Sequence, residues 1–176
     1  MVSGGSSIEV CCHDDIYLGK SEQRSPEISL SEYVVLQLAN CIKNKGYNLT
    51  MDNFFTSLSL ARHLQALGTS LVGTMTECRR ELPKDFGKAE SHSLYKSIFF
   101  QHQLSSAVLC KYQCKPGKTV VLLSTMHNQV VVDSASEKKK PEIIFFYDKH
   151  KVRKLFTSVS HFETSTLRII FISAIF

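Results

Sequence analysis

Residues Gly46 to Ser57, Gly-Tyr-Asn-Leu-Thr-Met-Asp-Asn-Phe-Phe-Thr-Ser, constrain the fold more than any other stretch of this chain. Tyr47, Leu49 and Met51 alternate with Asn48 and Thr50, the period of a strand. Asp52 and Asn53 break the alternation, and Thr56 or Ser57 can cap a helix that follows. That helix shows Leu58, Ala61, Leu64 and Leu67 on one face and ends at Gly68. Ser70 to Met75 reads as the next strand. A carboxylate that ends a strand and opens a helix is either a turn cap or a ligand for metal or phosphate chemistry at a strand's carboxyl end. Upstream, Ser31 is expected to cap a helix whose apolar face is Val34, Val35, Leu38, Ala39 and Ile42, with Lys43 and Lys45 at its end. Ile8-Glu9-Val10 can begin a strand before it. The order β–α–β–α–β predicts an α/β fold, with a sheet covered by helices.

From Cys78 the texture changes. Arg79 to His92 is polar, and short strands are expected at Leu94–Phe100, Ala107–Tyr112, Thr119–Ser124 and Gln129–Val132. Pro116-Gly117 and Met126-His127-Asn128 read as turns between them. The pattern predicts a small antiparallel β unit after the sheet. Ile143 to Tyr147 is a continuous apolar run and is read as a buried strand. Leu167 to Phe176 is apolar and is read as a strand, a helix or an aggregation-prone end. The divisions that result are 1–77, 78–140 and 141–176.

Composition narrows the function classes. The length of 176 residues suits one domain, and 43% hydrophobic with 21% charged residues is the balance of a soluble globular protein. A net charge of +5 permits a polyanion partner without requiring one. No apolar run reaches membrane-spanning length, and no membrane partner is expected. Met1 to Ser7 lacks the apolar core of a signal peptide, so the expected setting is intracellular, nuclear or cytoplasmic, with free thiols. Cys11-Cys12-His13-Asp14 does not have zinc-site spacing. Cys110 and Cys114 are expected to be buried thiols, and His63 to lie on the solvated side of its helix.

The stretch Gly46–Ser57 resembles the second catalytic-aspartate motif of the piggyBac family of transposases. Tyr17-Leu18-Gly19-Lys20 is similar to that family's upstream Tyr-x-Gly-Lys. Leu71-Val72-Gly73-Thr74-Met75 with Arg79-Arg80-Glu81-Leu82-Pro83 is similar to its Val-Gly-Thr … Arg-Arg-Glu-Leu-Pro segment, and Val120–Thr125 and Lys140–Ile144 match later landmarks in order. The resemblance covers roughly residues 14 to 152 and implies part of an RNase H-like fold with a β-rich insertion at 78–140.

It also implies a DDE-type chemistry in which three acids hold two Mg²⁺ or Mn²⁺ ions. Asp52 matches the second acid, as catalytic residue and metal ligand. The first is expected near Gly5, where Gly4, Gly5 and Ser6 carry no carboxylate. The third is expected after Tyr147-Asp148-Lys149-His150-Lys151, and no acid follows Asp148 until Glu163. The expectation is therefore a truncated, transposable element-derived chain that binds no metal and neither cleaves nor transfers DNA strands. Two rivals stand beside it: a non-catalytic DNA- or chromatin-binding module contacting phosphates through Arg79, Arg80 and Lys84, and an active nuclease recruiting Asp14 or Asp148.

Overall fold

The structure is a computed structural model that describes residues 25–83, 86, 93–102, 106–129, 131–133, 136–151 and the backbone of 171–174. The expected strand at Ile8–Val10 and the Tyr17–Lys20 motif lie outside the described residues, as do Asp14 and Lys84.

Among the described residues, three α-helices and six strands follow one another as α1 (Leu30–Ala39), β1 (Tyr47–Met51), α2 (Leu58–Ala66), β2 (Ser70–Met75), β3 (Ser97–Gln101), β4 (Val108–Lys115), β5 (Lys118–Ser124), α3 (Glu142–His150) and β6 (Phe171–Ala174). All six strands belong to one sheet, in the order β3-β4-β5-β2-β1-β6. β1 and β2 are parallel, joined through α2, and every other pairing is antiparallel. β1 and β2 coincide with the strands read from alternation. β1 is next to last in this order rather than central, with β6 along its far edge.

Period-two alternation divides the side chains between two layers. Leu49 and Met51 of β1, Leu71 and Met75 of β2, Leu109 of β4, and Val121 and Leu123 of β5 pack with Val35 and Ala39 of α1 and Leu60, Ala61 and Leu64 of α2. The opposite face gathers Val72, Cys110, Tyr112 and Leu122 against Ile143 and Ile144 of α3. Helices thus cover both faces, and each fully buried Leu contributes about 1.5–3 kcal/mol of burial.

Three expectations need correction. Ser29, not Ser31, caps α1: its Oγ accepts the Glu32 N–H at 3.2 Å, while Ser31 sits inside the first turn and shares a hydroxyl contact with Ser29. Ile143–Tyr147 is helical. A short apolar run does not distinguish strand from buried helix. Here Pro141 accepts the first helical bonds, Glu142 opens the helix, and Lys149 and His150 close it, which suits the helix dipole. Val132 makes only a single bridge, to Pro141, and the neighbouring Val131 carbonyl accepts the Glu142 N–H, so this segment braces the start of α3. The strands of the expected antiparallel β unit run on into the main sheet, because β5 pairs with β2 from Val72↔Ser124 to Met75↔Val121.

Candidate active site

The site is built around the end of β1. Asp52 is half-buried, and its Oδ1 accepts the Phe54 N–H at 3.0 Å, closing an Asx turn. Its carbonyl oxygen accepts from Phe55 N at 3.3 Å, Thr56 N at 3.1 Å and Thr56 Oγ1 at 2.7 Å. Ser57 then caps α2 by accepting the Leu60 N–H at 3.0 Å. The residues Asp-Asn-Phe-Phe-Thr-Ser therefore fold as one hydrogen-bonded turn that passes the chain from strand to helix.

Two distant segments hold that turn. Gly73 of β2 lies under Thr56: a Cβ there would stand 2.2 Å from Thr56 Oγ1 and 3.0 Å from the Met51 carbonyl oxygen. Only hydrogen at this position lets the buried threonine reach the Asp52 carbonyl. The stretch after β2 closes the other side. Arg79 donates from Nη2 to the Asn53 carbonyl at 2.7 Å, and Glu81 Oε2 accepts the Leu58 N–H at 3.0 Å, giving α2 a carboxylate at its positive end. The Asp52 turn, the Val-Gly-Thr strand and the Arg-Arg-Glu segment are thus a single contact set. Local periodicity carries no sign of these bonds, which span 23 to 26 residues; what could have suggested them is that the three motifs occur together in register.

Arg79 braces the turn, Arg80 is exposed, and Lys84 lies outside the described residues. Glu77 and Glu81 neighbour the two arginines, so residues 77–81 carry no net charge. His63, expected to be solvated, is half exposed, yet its Nδ1 lies 2.7 Å from Glu32 Oε1, which also accepts from Ser59 Oγ at 3.0 Å. This ties α2 to α1 through a buried carboxylate.

Asp148, the suggested substitute acid, lies near the end of α3 and pairs with Lys140 and Lys151. Burial raises its carboxyl, but the two lysines outweigh that and hold it below the usual range. Cys110 is buried, and burial pushes its thiol up to about 12; Cys114 donates to the Lys118 carbonyl. Among the described residues no three His, Cys, Asp or Glu side chains come together as a metal-holding group, so these residues alone do not fit a three-acid, two-ion centre. Nor, among them, is any helix long and apolar enough to cross a membrane.

With this geometry in place, comparison with known proteins is informative. The family model described as Transposase IS4, of DDE type, matches residues 7–158. The cryo-EM structure of a piggyBac transposase synaptic complex with hairpin DNA is similar over 76% of this chain, at 30% sequence identity and a TM-score of 0.65. This chain covers 27% of that transposase chain. The match confirms the expected fold class, a mixed sheet flanked by helices of the RNase H-like nuclease type. The Asp52 turn and the segments that clamp it are therefore part of a transposase domain, and the chain belongs to the piggyBac-like family of DDE transposases.

Proposed function

We propose that this chain is a piggyBac-type transposase-derived module that engages DNA but has lost strand cleavage and strand transfer. What carries the reading is the placing of acids along the sequence: Asp52 matches the family's second acid, while Gly4, Gly5 and Ser6 carry no carboxylate where the first is expected. The turn that presents Asp52 is intact, yet no group of three His, Cys, Asp or Glu that could hold a metal occurs among the described residues. Asp148 is held by two lysines, and the sequence then runs to Glu163 without a carboxylate. Two divalent ions need several carboxylates to be held in place for in-line attack at phosphorus.

Support for DNA engagement is of a different kind. The similar transposase was determined with hairpin DNA, and this chain carries a net charge of +5. A nicking assay on supercoiled plasmid with Mg²⁺ or Mn²⁺ tests the first half: no relaxation above that of Asp52→Ala is expected, and Asp52-dependent nicking would refute it. Duplex titration at two salt concentrations tests the second half, since phosphate contacts give a steep loss of affinity with salt. Salt-independent or absent binding would refute that half.

A further inference from the structure

Phe54 is 61% exposed at the tip of the Asp52 turn, beside a carboxylate rather than over the core. Its backbone is fixed by the bond from its N–H to Asp52 Oδ1, and the next carbonyl back along the chain, that of Asn53, is fixed by Arg79. Its ring stands edge-to-face on Phe55, with centroids 4.9 Å apart and planes at 86°, and Phe55 in turn packs against the core. An exposed aromatic with so little freedom is a pre-formed contact surface, because ordering it on binding costs little entropy.

The surroundings say what kind of group it suits. Asp52, Asn53, Thr56 and Ser57 are polar, and Phe55 packs against the core, so within the turn Phe54 is the exposed apolar plate. The ring itself offers a phosphate neither charge nor a hydrogen-bond donor, so it is the flat and uncharged part of a nucleotide that fits it. We infer that Phe54 stacks on one unpaired nucleobase of DNA brought to the Asp52 turn. Stacking of this kind tolerates any base, since every base offers a π-face. The inference rests on the reading that the chain engages DNA.

The test compares two probes, a fully paired duplex and the same duplex with one unpaired 2-aminopurine, binding being followed by anisotropy and by 2-aminopurine fluorescence. The wild-type chain is expected to favour the unpaired probe by about tenfold and to quench its fluorescence, within the range that single base–aromatic stacks contribute. Phe54→Ala is expected to bring the ratio near one and abolish the quench. Phe54→Leu, apolar but without a π-face, is expected to behave like Phe54→Ala, and Phe54→Trp to keep both signals. A preference that survives Phe54→Ala or Phe54→Leu overturns the inference. So does a wild-type ratio of one with measurable duplex binding, which leaves DNA engagement standing. Binding to neither probe at low salt overturns both.

Discussion

Gly73→Ala asks whether the Asp52 turn depends on the strand beneath it. In an ordinary strand this change stabilises by about 0.5–1 kcal/mol, because alanine loses less backbone entropy on folding. Here the new methyl would stand 2.2 Å from Thr56 Oγ1, 3.1 Å from Thr56 Cγ2 and 3.0 Å from the Met51 carbonyl oxygen. Met51 is paired with Gly73 itself in the parallel ladder, so its carbonyl cannot retreat without disturbing that register. Thr56 is fully buried, and it can move only by giving up its 2.7 Å bond to the Asp52 carbonyl. Overpacking of this sort costs about 1–3 kcal/mol, and losing the hydrogen bond adds about 1 kcal/mol. The sign therefore reverses, to a net loss of about 1–3 kcal/mol. Urea unfolding followed by far-ultraviolet circular dichroism measures it. Adding Thr56→Ala removes both threonine contacts, at 2.2 and 3.1 Å, so the double variant is expected to lose at least about 1 kcal/mol less than the sum of the single losses. Gly73→Ala as stable as wild type, or a double variant additive within about 0.5 kcal/mol, would refute the argument.

Arg79→Ala removes the guanidinium from the Asn53 carbonyl and is expected to cost about 1–2 kcal/mol, with faster amide exchange at Phe55 and Thr56; unchanged exchange there would mean the arginine does not brace the turn. Burial pushes the Cys110 thiol up from 9.0 to about 12, so the unfolded chain ionises first as pH rises. The stability from the neutral thiol is whole below pH 9.0 and lost toward about 12, and Cys110→Ala should flatten that alkaline limb relative to wild type. Burial lowers His127, with Glu142 pulling the other way. Its contribution is present above pH 6.5 and lost as the solution becomes more acid, so His127→Gln should weaken the acid dependence of the urea midpoint.

Much of the sheet was legible because alternation is a local property. Tyr47–Met51 and Ser70–Met75 each place one set of side chains on the α1–α2 face and the other opposite, and both strands were read with the bounds they have. The apolar run at Ile143–Tyr147 was misread because five apolar residues carry no period, although Pro141, Glu142, Lys149 and His150 held the helical signs. That β5 joins β2 was not legible, since strand pairing across some 50 residues leaves no mark on either strand's own pattern. In the site, Asp52 was legible from its place at the end of a strand and from its motif. The roles of Gly73, Arg79 and Glu81 were not, because each acts through a backbone group or a side chain far away in sequence. Basic character suggested a phosphate contact at Arg79 and gave no sign of its bond to the Asn53 carbonyl.

Binding of Mn²⁺ to the purified full chain, read by electron paramagnetic resonance, tests most directly whether this chain can hold the ion pair that DDE chemistry needs. The expected result is no saturable pair of ions at micromolar metal, with the same free-ion signal for wild type and Asp52→Ala. Two equivalents of Mn²⁺ bound with spin coupling between them, and released in Asp52→Ala, would contradict the account.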